Sequence, residues 1–230
     1  MMATTTHQAR AQRGLSLVEV MVALAIGLFI SAVAGTLLAA HVRENRSLLL
    51  EARLMQDLRT AADMITRDLR RAGYWAGAAS GVWSAGSTGT VANPYAAVAP
   101  SSAASDAASF RYSRDSTENN TVDSNEEFGF RLRNGTIEML LGAGGWQALT
   151  DSGTLTVTTF SVTPLVERID LQAACSKPCP TGSTSCPPRQ EIRSLALLIS
   201  ARSVTDALVT RSVRSQERLR NDFFTGTCPV

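Results

Sequence analysis

The stretch RGLSLVEVMVALAIGLFI, Arg13 to Ile30, sets one carboxylate, Glu19, near the start of an otherwise unbroken apolar run. The run extends from Leu15 to about Ala40, longer than the roughly 20 apolar residues that cross a bilayer. A carboxylate at the middle of a membrane helix costs about 2.5 to 3.5 kcal/mol on insertion scales, so Glu19 asks for a partner or a task. Before the run, Met1 to Gly14 is polar, with Arg10 and Arg13 as its charged side chains. Positive charge ahead of the span and a long polar chain behind it predict a cytoplasmic N-terminus and a body outside.

Two plain readings leave the carboxylate unexplained. A cleaved secretory signal would have a basic start, an apolar core and AVA at Ala32 to Ala34 as its cleavage site. A simple single-span anchor explains the run equally well. Neither has a use for Glu19.

The same residues resemble the processing site of type IV pilins and type II secretion pseudopilins: a short basic leader ending in Gly, then an apolar helix with Glu at its fifth residue. The resemblance implies cleavage by a prepilin peptidase between Gly14 and Leu15, followed by N-methylation. Mature pilins usually begin with Phe, and this chain would begin with Leu15. In a filament, the new amine at Leu15 would neutralise Glu19 of a neighbouring subunit. An unpaired buried charge is strongly destabilising, so the pair would favour one stacking register over slipped ones. Ala23, Gly27, Ser31 and Gly35, with Ala39 beyond them, add small residues at four-residue spacing, which lets helices approach closely in lipid.

The helical pattern continues past the span. From His41 to Ala72 there is no Gly or Pro, and Met55, Leu58, Ala62, Ile65, Leu69 and Ala72 form one apolar stripe. Arg53, Asp57, Arg59, Asp63, Arg67 and Arg70 lie mostly off it. Gly73 follows Arg70 and Arg71 as a C-terminal stop, which predicts one helix from about Ser16 to Ala72. The stripe is too short, and at Ala62 and Ala72 too small, for a coiled-coil seam, so packing on a sheet is expected. LRRAGYW, Leu69 to Trp75, resembles the segment that closes the long helix in PilW-like minor pilins, as does the later EIRSLALLISARS, Glu191 to Ser203.

Beyond the helix, Ala76 to Ser109 is rich in Ala, Ser, Gly and Thr and reads as a surface connection. FGFRLRNGTIEMLL then alternates on both sides of Asn134 and Gly135, the signature of a two-residue hairpin turn. Strands are expected at LTVTTFSV from Leu155, LVERIDL from Leu165, RSLALLISARS from Arg193 and across Leu208 to Arg218. Leu195 to Ile199 is apolar on both faces, as in a covered central strand. Helix first and strands afterwards give an α+β class: a long N-terminal helix packed on an antiparallel sheet head.

Composition narrows the chemistry. With 44% apolar residues the 230-residue chain can build a core, and a formal charge of +2 lacks the footprint of a dedicated nucleic-acid binder. His7 and His41 are the two histidines, in the leader and at the membrane boundary, and neither suits a head-domain base; no nucleophile elbow, phosphate loop or HExxH is present. The run RDSTENNTVDSNEE, with Asp115, Glu118, Asp123, Glu126 and Glu127, lacks EF-hand spacing and reads as a solvated loop rather than a calcium site. Arg202, Arg211, Arg214, Arg218 and Arg220 lack interleaved aromatics, so a solvated face is expected over a DNA patch. Cys175, Cys179, Cys186 and Cys228 do not match zinc spacings and suit two disulfides in an oxidising compartment. Four cysteines allow three pairings, and the expected one has a bridge inside the loop and another tying Cys228 back to it.

These readings divide the chain into a cleaved leader (1–14), a membrane-spanning half-helix (15–40), an amphipathic half packed on the head (41–72) and a β-rich head (73–230). The resemblance implies a minor pilin that primes or caps a type IV pilus, needed for twitching motility, with no catalysis, cofactor or metal. Its implied partners are the prepilin peptidase, other minor pilins, the major pilin and the inner-membrane assembly platform. Its implied location is the inner membrane, single-pass with the head in the periplasm, and then the pilus. A pseudopilin of a type II secretion system shares the leader and architecture, and a Sec-exported binding domain or enzyme is the alternative of another class.

Overall fold

The computed structural model describes residues 14, 16–82 and 91–229. The chain divides into two units, one ending at Leu48 and one starting at Leu49. Helix α1, Leu17–Leu69, contributes to both.

In the first unit, every described residue from Leu17 to Glu44 is exposed. The helix passes through Gly27 and Gly35 without a break. Its hydroxyls satisfy themselves on the helix backbone: Ser31 Oγ donates to the Gly27 carbonyl at 2.8 Å and Thr36 Oγ1 to that of Val33 at 2.8 Å. Polar side chains can therefore sit in an apolar run without an unmet hydrogen bond.

In the second unit, α1 buries Leu54, Leu58, Ala61, Ala62, Ile65, Thr66 and Leu69. Leu54 replaces the expected Met55 on the buried stripe and Met55 is only half-buried, because Leu54 stands one full turn before Leu58. The α-helix ends at Leu69, three residues before the expected Ala72. Its last turn tightens, with Arg71 N donating to Asp68 O and Ala72 N to Leu69 O, each at 3.0 Å. Gly73 then takes a left-handed φ of +74° and donates its N–H to the Arg111 carbonyl at 2.7 Å, a bond that fastens the helix exit to the first sheet.

Two antiparallel sheets follow, where the sequence expected one. The first has the order β1 (Val98–Ala99), β2 (Ala107–Arg111), β3 (Glu127–Arg133), β4 (Thr136–Leu141) and β5 (Trp146–Ala148). Strand β1, the start of β2 and the fully buried Tyr95 lie in the segment read as a surface connection. Asn134 and Gly135, with φ of 50° and 75°, turn β3 into β4 as the hairpin signature requires.

The second sheet has the order β6 (Leu155–Asp170), β7 (Arg189–Ser203) and β8 (Thr210–Arg218), with β9 (Phe223–Thr225) pairing the start of β7. The expected strands at Leu155 and Leu165 are one strand. Pro164 is tolerated within it because β6 is an edge, paired on one side by β7. β7 is central and buries Leu195, Leu197, Ile199, Ala201 and Ser203, while Ala196 and Leu198 face the other way and are half-buried. The strand is central and covered, as expected, and the covered face is the one that joins the helix stripe in the core.

The sheets meet at the outer edge of β6, where Ser105 and Val162 exchange backbone hydrogen bonds at 2.8 and 3.0 Å and Val157 N donates to the Gly135 carbonyl. One core joins the helix stripe to Phe110, Phe128 and Phe130 of the first sheet and to Phe160, Val162, Leu197 and Ile199 of the second.

Candidate functional site

The first candidate is the N-terminal part of α1. Ser16 precedes the helix and its carbonyl accepts the Val20 N–H at 3.1 Å. Glu19 is the third helical residue and is exposed. A carboxylate is favoured there by the unpaired N–H groups and positive dipole end of the first turn. Ser16 and Glu19 also have capping-box spacing, a helix-start pattern. Gly14 is exposed; Leu15, the rest of the leader 1–14 and His7 lie outside the described residues.

Ala23, Gly27, Ser31 and Gly35 are all exposed, and nothing approaches within 4 Å of where a Cβ on Gly27 or Gly35 would stand. Around them Leu17, Phe29 and Leu38 are 76%, 72% and 66% exposed. The helix contains an 18-residue window of mean hydropathy 2.5 with none of it buried, so it is long and apolar enough to cross a membrane. So large an apolar surface calls for lipid or other helices around it.

Several polar groups of the second unit tie its loops together. Glu126 is fully buried and accepts the backbone N–H of Arg114 at 2.7 Å and of Asp123 at 2.9 Å, closing a capping box with Asp123. Glu118 accepts from Asn120 N at 2.9 Å, Ala76 N at 3.2 Å and the Tyr95 hydroxyl at 3.2 Å. Desolvation opposes its charge, yet the hydrogen bonds from Asn120, Ser113, Ala76 and Tyr95 outweigh it and hold the carboxyl below its ordinary value. Desolvation, above all, pushes the Tyr95 hydroxyl well up. Most of the run expected to be a solvated loop is exposed, and it is also bonded internally: Glu127 pairs with Arg111 at 2.8 Å, and Asp115 and Asp123 both accept from Asn119 at 3.2 Å. Among the described residues, no group of three His, Cys, Asp or Glu side chains is placed to hold a metal.

Of the five basic residues expected on the last strand and tail, Arg211 and Arg218 form ion pairs, while Arg202, Arg214 and Arg220 form none among the described residues. Arg211 pairs with Glu51 of the helix, and Arg218 with Asp222 at 2.9 Å. Arg70 grips Glu217 through two bonds of 2.9 Å. Arg193 rests over the Phe223 ring and donates to the Ala96 carbonyl at 2.6 Å; burial pulls its pKa down against the opposing effect of Glu191 and Asp222.

Disulfides join Cys175 to Cys228 and Cys179 to Cys186. The first ties the C-terminal tail to the loop after β6, beside β9. Thr227 N also donates to the Ser185 carbonyl at 2.8 Å.

A family model described as prepilin peptidase-dependent protein B matches residues 47–219, and one described as the prokaryotic N-terminal methylation motif matches residues 9–35. No curated protein and no solved structure gives a match.

Proposed function

Since the chain belongs to the prepilin peptidase-dependent protein B family and carries the N-terminal methylation motif of a pilin-like protein, we propose that it is a minor pilin that primes or caps a type IV pilus. Residues 1–14 are the leader, cut between Gly14 and Leu15 by the prepilin peptidase, and the new amine is methylated. Residues 15–40 hold the protein as a single span in the inner membrane, with the N-terminus cytoplasmic and the head, 73–230, periplasmic. Residues 41–72 carry the head. On assembly the subunit joins other minor pilins and the major pilin through the assembly platform, and its work is mechanical rather than catalytic.

The observation that carries this reading is Glu19, an exposed carboxylate in the first turn of an exposed apolar helix. In a filament, the Leu15 amine of a neighbour compensates that charge among packed helices, and Ala23, Gly27, Ser31 and Gly35 allow the close approach. Mislocated stacking leaves the carboxylate uncompensated, so the pair sets the register.

Mass spectrometry of the mature chain is expected to find a methylated N-terminus at Leu15. Glu19→Ala is expected to insert in the membrane at the normal level yet be lost from purified filaments. A chain that keeps residues 1–14, one that starts near Gly35, or normal recovery of Glu19→Ala in filaments would each overturn the proposal. Deletion that abolishes twitching motility supports a pilus, and deletion that blocks only protein secretion assigns the subunit to a type II secretion pseudopilus.

A further inference from the structure

At the C-terminal end of α1, a groove of about 620 Å³ is lined by Arg70, Arg71, Arg114, Arg220, Tyr74 and Asn221 among others. Three separate segments supply the four arginines, and hydrogen bonds to backbone carbonyls join those segments. Arg220 N donates to the Arg70 carbonyl at 3.2 Å, Asn221 Nδ2 to that of Ala72 at 3.2 Å, and Ser113 N to that of Tyr74 at 2.9 Å. The guanidiniums are therefore held near one another by the fold, at a cost in mutual repulsion.

That repulsion is only partly relieved. Arg70 is matched by Glu217, and Arg71 lies 3.7 Å from Asp68 and 5.0 Å over the Tyr112 ring. Arg114 reaches the Asn125 carbonyl at 3.5 Å and lies 5.9 Å over Phe128, with no carboxylate partner among the described residues. The exposed Arg220 side chain has no ion pair or hydrogen bond among them. Four cations against two carboxylates leave the groove short of two negative charges.

We propose that this groove binds an acidic segment of another polypeptide, one that presents at least two Asp or Glu carboxylates. The lining cations are all arginines, whose planar forks match carboxylates bidentately, and the Arg70–Glu217 pair is a working example of that bond within the groove. The volume is far larger than one small oxyanion needs. A single-stranded nucleic acid would need a row of stacking faces. Tyr74 is open at 50% exposure, but Tyr112 is buried beneath Arg71. One open ring does not make such a row. The inference deepens the minor-pilin reading by naming the chemistry of a lateral partner.

The test uses the full processed chain extracted in mild detergent, so that its result does not depend on filament entry. Fluorescence anisotropy with labelled hexaglutamate is expected to show saturable binding that weakens as salt rises. Arg114→Gln and Arg220→Gln remove cations that carry no ion pair, and each is expected to weaken binding about tenfold. Arg214→Gln, outside the groove, is expected to leave it unchanged. Circular dichroism checks that all three variants keep the native fold. The proposal is overturned by absence of saturation at about 1 mM peptide, or by equal losses in the groove variants and Arg214→Gln. Tighter binding of oligothymidylate of equal charge would assign the groove to nucleic acid instead. Full displacement of the peptide by equimolar inorganic phosphate would reduce it to a small-oxyanion site.

Discussion

Replacing Cys175 and Cys228 together by serine tests how the C-terminal tail is held. The two bridges span very different lengths of chain, with sequence separations of 53 and 7. Loop-closure entropy assigns about 4 kcal/mol to the longer and about 2.5 kcal/mol to the shorter. Cys228 and Cys186 are similarly buried, at 4% and 9% exposure, so lost burial does not separate the two cases. The longer bridge also holds β9 against Arg189, Gln190 and Glu191 of β7, which in turn keeps Phe223 over Arg193. Its loss is therefore expected to exceed that of Cys179/Cys186→Ser by at least about 1.5 kcal/mol. Urea unfolding of the full chain in mild detergent, followed by tryptophan fluorescence, measures both variants against the parent. Replacing both partners at once avoids exchange through a leftover thiol. Equal losses, or a larger loss for the short loop, would refute the argument that closure length and tail pinning set the ranking.

Ile65→Ala, at a fully buried position of α1, is expected to cost about 3 kcal/mol in the same titration. Glu126→Ala strips the acceptors of Arg114 N and Asp123 N and should cost about 3 kcal/mol, with increased hydrogen exchange of those two amides as the specific readout. Glu118 is held below its ordinary value of 4.5, so its contribution is fully present above that pH and lost as pH falls through the folded value; Glu118→Gln should flatten the acid limb of a stability profile. Asp68 shifts the other way, because burial outweighs Arg71 and Arg67, so its charge costs stability that protonation relieves; Asp68→Asn should hold or raise stability at pH 7 and show less gain on mild acidification.

The parts legible in the sequence were those governed by local rules. Gly73 and the Asn134–Gly135 pair adopt the positive φ values that their positions demanded, and the stripe from Leu58 to Ala72 faces the core. What local rules could not reach were features decided by distant partners. β2 has only Ala108 and Phe110 pointing inward, too few to stand out from the surrounding Ala and Ser. The strands expected from Leu155 and from Leu165 are one, because the edge position that tolerates Pro164 depends on where β7 pairs. The division into two sheets rests on contacts such as Ser105 with Val162, which no periodicity marks. At the site, Glu19 stood out because charge and hydrocarbon conflict within a few residues. The arginine groove did not, because Arg70, Arg114 and Arg220 come together only in the fold.

The pairing of α1 with β8 has a mechanical consequence. Glu51 meets Arg211 and Arg70 meets Glu217, so helix and strand run alongside each other in the same direction and are tied near both ends. Beside the buried stripe, those ties would pass part of a pull on the helix into β8 lengthwise. There it loads the nine register pairs with β7 as a shear across the whole ladder, not as a zipper opened one rung at a time. A subunit pulled by its helix would then yield only when many bonds fail together, which is the loading geometry that lets a small β-structure bear a sustained pull.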